Sequence, residues 1–445
     1  MGDQAQIEHL LRRTEYIARP ARVQQLLSLT SGTNLLDAAV DDILNVTTPV
    51  AIPASIFTSS NNWDQYIAAT KWWFDRMAFD SPRSIQEKMT FFWHGHFTSE
   101  AQKVESMRMM MSQNALYRDN AFGNFMTLAQ AMAIEPAMLR YLDNVDNTKS
   151  SPNENFGREL LELFLLGVGN YAESDVEAAA HAWTGHTVNN NTGAYSFDST
   201  KHDYGSKTFF GLTGAWNGPD IISMVFANKP QIVSRYIVGK LWNFFATPVG
   251  PQPAALNTIA ASFALDWEIK PVMRAILLLP EFYSTATMQG LVRSPVDWIV
   301  ACMALTGYRA DTLSPQWFTE SMGQVPFNPP NVAGWHANST WINTSSMGAR
   351  ADFAENVVNH LRNDSAYNWD RLILRDSSNH VIPVVDAINV VASLFALKPL
   401  SAPTLAGMTN YLNAERNPAS PHQNSWWQVT NLLQMALVAP EMHVA

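Results

Sequence analysis

The chain has 445 residues, 47% of them apolar and only 15% charged, which is enough apolar mass for a large core and excludes disorder as its main state. The formal net charge is -10 and no basic run exceeds Arg12-Arg13, so nucleic acid and anionic lipid are excluded as expected partners, since phosphate binding needs clustered Lys and Arg. A single cysteine, Cys302, excludes an intramolecular disulfide and, set in "PVDWIVACMALTGY", reads as a buried inert thiol.

The N-terminal "MGDQAQIEHLLRRTEY" carries acidic residues and no apolar run of secretory type. No segment reaches about 18 uncharged apolar residues, so no membrane span is expected. The expectation is a soluble, cytoplasmic chain.

Helical patterning then follows in order. "NWDQYIAATKWWFDRMAF" (62–79) places Trp63, Ile67, Phe74 and Met77 near one face, with Asn62 as the expected cap. "SPRSIQEKMTFFWHGHF" (81–97) opens on Ser-Pro and runs apolar until Gly95, which is expected to interrupt it. The methionines of "SMRMMMSQ" point all round a helix and read as core. "NALYRDNAFGNFMTLAQAMAIEPAMLRYLDN" (114–144) reads as two helices broken before Pro136.

In "SSPNENFGRELLELFLLGVG" (150–169), Ser151 and Glu154 predict a capping box, with Pro152 at the first helical position and Gly167 or Gly169 as the stop. In "YAESDVEAAAHAWTGH" (171–186), Ser174 and Glu177 predict a second box and Gly185 the stop. Residues 186–218 lose the helical period and predict an ordered loop or a short hairpin. Helices resume at 219. "TPVGPQPAALN" (247–257) is the expected connector, and the Pro, Asn and Trp rich segment 327–361 reads as a functional loop feeding a helix, with Trp335, His336 and Trp341 as a pocket wall or lid.

The motifs "LLRRTEYIARP", "EKMTFFWHGHF", "EPAMLRYLDN", "NENFGRELLELFLLGVGNYAESDVEAAAHAWTGHTV", "HDYGSKTFFG", "SPVDWIV" and "PFNPPNVAGWHANSTWIN", in this order, resemble the bacterial family called domain of unknown function 1800 over about residues 8–361. The resemblance implies a mostly helical single domain and no particular reaction. It also implies recurring polar residues, here His94, His96, Asn153, Glu154, Asn155, Arg158, Glu159, Glu162, Asp175, His202, Asp203 and Lys207. Where the family usually reads "ARALTGW" this chain has "AHAWTGH", so His181 and His186 replace an Arg and a Trp.

Geometry sorts these residues. Asn155, Glu159 and Glu162 fall at i, i+4 and i+7 on one helical face, with Arg158 beside them. The face is flanked by Leu161 and Leu165, and buried carboxylates need a cation or a hydrogen-bond partner. His94 and His96 differ by about 200° on a continuous helix and converge only if Gly95 ends it. His202-Asp203 lies in the irregular segment and serves two partners rather than itself.

The expected fold is therefore mainly α, one large helical domain with long irregular loops and at most a short β-hairpin, built as a core of 1–361 and a C-terminal helical extension of 362–445 packed on it. The expected function is a metal-dependent enzyme, leaning to redox chemistry on an apolar or aromatic small molecule. His94, His96, Glu159 and His202 are the expected ligands of a divalent transition metal (Fe, Mn, Cu or Zn), with Glu159, Glu162, Asp203 and Arg158 catalytic. The alternatives are a metal-free acid/base hydrolase and a non-catalytic binding or assembly protein.

Overall fold

In the computed structural model, residues 2–29, 34–46, 49–189, 191–288, 290–363, 369–397, 399–416 and 425–445 are described. Among them are 23 α-helices and two two-stranded antiparallel hairpins, so the fold is mainly α. The hairpins pair His186–Val188 with Tyr195–Phe197, and Lys207–Phe209 with Leu212–Gly214. The segment expected to hold one hairpin at most thus holds two. No helix of the described residues is long and apolar enough to cross a membrane.

The helix Ser84–His96 occupies the centre. All of its residues except Gly95 are buried, as only a helix covered on every side can be. Its one carboxylate, Glu87, is fully enclosed and receives Arg118 at 2.8 Å, Arg76 at 2.8 Å and the Trp73 indole at 3.0 Å. Burial alone would raise the Glu87 pKa, but the two guanidiniums hold it below the ordinary carboxylate value. Gly95 does not interrupt this helix. It continues to His96 and ends at Phe97, because packing against the neighbouring elements outweighs one glycine's poor propensity.

Other boundaries shift for local reasons. The first long helix is capped by Asn61, whose side chain accepts from Trp63 N, while Asn62 accepts from Met107 N instead. It passes at Arg76–Asp80 into a π-helical turn. The chain does break before Pro136, between helices Phe125–Ala133 and Pro136–Tyr141.

Neither expected capping box forms. The first helix starts at Asn155, where Asn153 accepts from Asn155 N, and the second at Glu173, where Asp175 accepts from Ala172 N at 2.9 Å. The stops hold: Gly167 and Gly185 both lie in the left-handed region, at φ +82° and +78°.

Helices Pro230–Phe245 and Ala255–Asp266 pack on each other across the expected connector. One hydrophobic core runs from Ile7 to Met442. Residues beyond 361 enter it through Ile373, Ile388, Val391 and Leu432, and helix Ser425–Leu437 packs on Thr344–Asn363.

Candidate functional site

The "HGH" turn of sequence is the last turn of the central helix, and its three residues do three different things. His94 is buried among Trp73, Phe91, Phe327 and Trp335. Its Nε2 accepts from Phe327 N at 3.0 Å, which places the ring proton on Nδ1. Burial pulls its pKa down to about 3, so it stays neutral. Phe327 itself is left-handed at φ +65°. His94 therefore anchors the start of the Pro and Trp rich loop.

Gly95 receives that same loop. The Trp335 ring lies 3.7 Å from where a Cβ of Gly95 would stand, and a Cβ on Gly334, at φ +81°, would stand 2.4 Å from Gly95 O. The loop and the helix touch backbone to backbone.

His96 faces the other way, as two residues of helix dictate. Its Nε2 donates to Phe164 O at 3.0 Å. Leu160–Leu165 is π-helical, and the carbonyls at its end lack partners within the helix. His96 caps Phe164 O, Tyr236 Oη caps Leu163 O at 2.8 Å, and the Asn170 amide caps Leu166 O at 3.0 Å. This fixes the tautomer of His96 and leaves its buried Nδ1 a bare acceptor with no partner. Burial holds the ring's pKa well below its ordinary value, and the charge of Lys240 adds to that.

His96 lines a cavity of about 240 Å³. Lys88, Phe91, Phe92, Gly95 and His96, at i, i+3, i+4, i+7 and i+8, form its wall on the central helix. They span roughly 12 Å of helix axis. Trp335, His336 and Trp341 also line it, as expected from the sequence.

Two lysines carry its charge. The Lys88 ammonium lies 3.1 Å from Asp297 Oδ2 and 4.7 Å from the centre of the Tyr16 ring, and Asp297 Oδ1 lies 3.5 Å from Arg293. Burial pulls the Lys88 pKa down to about 8 against the opposing pull of Asp297. Lys240, on helix Pro230–Phe245, lies beside Tyr236: its Nζ is 3.5 Å from the phenol oxygen and 5.1 Å from the ring centre. Burial pulls this lysine to about 8 as well. No carboxylate among the described residues pairs with it.

The other expected site residues lie outside this cavity's lining. Arg158 bridges Glu154 and Glu173 at the surface. Glu159 is half-buried, and burial followed by the charge of Glu162 raises its pKa; Glu162 accepts from the Tyr171 hydroxyl. The π-turn beginning at Leu160 breaks the i, i+4, i+7 register assumed for this face.

His202 Nδ1 donates to Thr184 O at 2.7 Å, and Asp203 pairs with His181 at 2.6 Å while accepting from Gly205 N. Lys207 binds the backbone oxygens of Asp203 and Gly205. His202 and Asp203 thus serve different partners, as expected, and His181 joins Asp203, which the sequence placed in a separate group. His186 is satisfied on both nitrogens, by Asn217 at 2.7 Å and Tyr195 at 2.9 Å.

Among the described residues no group of three or more His, Cys, Asp or Glu side chains is arranged to hold a metal ion. The four expected ligands do not gather: His94, His96 and His202 each bond a separate stretch of backbone, and Glu159 stands beside Glu162. Cys302 is buried, and burial pushes its thiol pKa up.

Lys88, Lys240 and Asp297 were not picked out from the sequence. A usable signal existed in the first case, since a lysine sits in helical register with Phe91, Phe92 and His96 on a face otherwise aromatic. For Lys240 and Asp297 no local pattern points to burial beside that face.

A family model described as protein of unknown function (DUF1800) matches residues 9–444, and the chain belongs to that family. The match runs past residue 361, where the resemblance stated above ends. No curated protein and no solved structure matches the chain.

Proposed function

We propose that the protein is an acid/base enzyme acting on an apolar or aromatic small molecule, with the cavity between the central helix, helix Pro230–Phe245 and the 327–341 loop as its reaction chamber. The observation that carries this reading is the pairing, in one aromatic-walled cavity, of a lysine and a histidine Nδ1 that have, among the described residues, no carboxylate and no hydrogen-bond partner respectively. Perturbed titratable groups in an apolar cleft are the ordinary mark of acid/base chemistry. With its pKa near 8, Lys240 is available as both ammonium and amine close to neutral pH, so it can give or take a proton. His96 offers a neutral acceptor, and Asp297 keeps Lys88 in place.

The test is turnover of a panel of aromatic esters, amides, lactones and enolisable ketones by the native protein, Lys240→Met and His96→Asn, with folding checked by thermal melting. Loss of turnover in folded variants supports the reading. Turnover at the native rate by Lys240→Met, or none of any class by the native protein, removes it.

A second reading keeps the metal-dependent redox chemistry expected from the sequence. It would draw on the bare Nδ1 of His96, a ring nitrogen of the kind that ligates Fe, Mn, Cu or Zn, against the nearby charge of Lys240. Near-stoichiometric metal in protein purified without a His tag, lost in His96→Ala, would select this reading. Metal at trace level after each ion is added back would remove it.

A further inference from the structure

The cavity's formal charge does not balance. Its lining holds two cations, Lys88 and Lys240, and one carboxylate, Asp297. Asp297 is already committed, being 3.1 Å from Lys88 and 3.5 Å from Arg293. Behind it Arg13 is fully buried, with Nε and Nη1 unpartnered. No spare negative charge from this quarter reaches Lys240. An ammonium drawn out of water without a counter-ion is costly, and the cost is relieved when an anion arrives.

A second donor stands beside it. Asn243, three residues on along the same helix, also lines the cavity. Its amide oxygen accepts from Gln252 Nε2 at 3.1 Å, and the same Gln252 nitrogen donates to Gly239 O at 3.2 Å. Turning Gln252 over would set its oxygen against the Gly239 carbonyl, so this network fixes the Asn243 amide with its oxygen spent and its NH2 left to donate. Residues at i and i+3 share a helix face. Lys240 and Asn243 thus offer one charged and one neutral donor from one face of the helix.

We infer that the ligand of this cavity is an apolar or aromatic carboxylate, its head group held by Lys240 and Asn243 and its body against Phe92, Phe244 and Trp341. The inference names the substrate class for the proposed reaction chamber and rests on the cavity taking a small molecule at all. With the carboxylate bound, Lys240 is held as the ammonium. Lys240 then positions and neutralises the substrate and, as the ammonium, remains the proton donor of the proposed chemistry.

The experiment compares matched probes, 2-naphthoate with 2-naphthamide and 4-phenylbutyrate with its amide, by calorimetry and tryptophan fluorescence at pH 7. Each acid is expected to bind at least tenfold more tightly than its amide. That preference should weaken from pH 7 to 9.5 as Lys240 loses its proton, with Lys88, also near 8 beside Asp297, adding to the loss and the amides unaffected. Lys240→Met and Asn243→Leu should each reduce it, to near parity for Lys240→Met, and Lys240→Arg, which keeps the charge and serves as the folding control, should retain it. If acids and amides bind alike, the inference falls and the cavity reading stands. If neither binds, both fall.

Discussion

The amide of Phe327 donates to Nε2 of His94 at 3.0 Å, tying a backbone position at φ +65° to the centre of the fold. A side chain with the look of a metal ligand is thereby spent on holding a loop. His94→Ala should leave a buried amide without an acceptor and a void among four aromatic rings, at roughly 2–5 kcal/mol. Urea denaturation measures the loss. Metal content should not change, and binding in the cavity should weaken as Trp335 and Trp341 lose their anchor.

Gly95 and Gly334 should respond differently to the same methyl group. At Gly95 the new Cβ meets only the Trp335 ring at ordinary contact distance, so Gly95→Ala is expected to be neutral or to stabilise by up to about 1 kcal/mol through helix propensity. At Gly334 it would stand 2.4 Å from Gly95 O in a left-handed conformation, and Gly334→Ala should destabilise by more than about 1 kcal/mol. Equal melting temperatures for the two variants would contradict this packing.

Glu87 is the electrostatic keystone of the central helix, receiving Arg118, Arg76 and Trp73 in full burial. Removing it in Glu87→Ala leaves two guanidiniums enclosed without their anion. The expected loss is roughly 3–5 kcal/mol. By contrast Arg158→Ala, which breaks solvent-exposed pairs to Glu154 and Glu173, should cost less than about 1 kcal/mol, and neither it nor His202→Ala should alter ligand binding in the cavity.

Acid stability should be limited by histidines. Burial lowers the pKa of His9, His94 and His443 to about 3 and that of His186 to about 4. Each is neutral in the fold at pH values where the unfolded chain takes up a proton. Their contribution is complete above pH 6.5 and is lost as pH falls toward 4, by as much as about 1.4 kcal/mol per pH unit for each histidine.

Glu135 acts oppositely. Burial raises its pKa to about 8, so its contribution to stability grows as pH falls from 8 toward its ordinary value of 4.5. From pH 6.5 to 4.5 the five buried histidines, His96 included, outweigh Glu135 and the half-buried Glu159. Denaturant midpoints should therefore fall steeply over that interval, and a flat profile there would show that the histidines are not buried as described.

Much of the fold was legible because helices announce themselves locally. The break before Pro136 and the stops at Gly167 and Gly185 follow from one residue's backbone preference. That His94 and His96 point apart follows from the helical angle once the helix is continuous. The π-turns at Arg76–Asp80 and Leu160–Leu165 were not legible, since a wider turn is imposed by packing and by capping groups such as His96 and Tyr236 from other helices. The capping boxes failed for a similar reason: Asn153 and Asp175 reached the free amides through short local turns that the Ser and Glu spacing does not exclude.

What the sequence determined by itself is the helical character of the chain, the direction in which a residue leaves a regular α-helix, as for His94 and His96, and the aromatic loop that walls the cavity. Only the tertiary structure decided that Lys88 is buried against Asp297, 209 residues away, and that Lys240 meets no carboxylate among the described residues. The physical reason is one of range. Periodicity and turn preference act within a few residues, whereas a lysine's charge state depends on which distant groups share its low-dielectric surroundings, and packing alone brings those together.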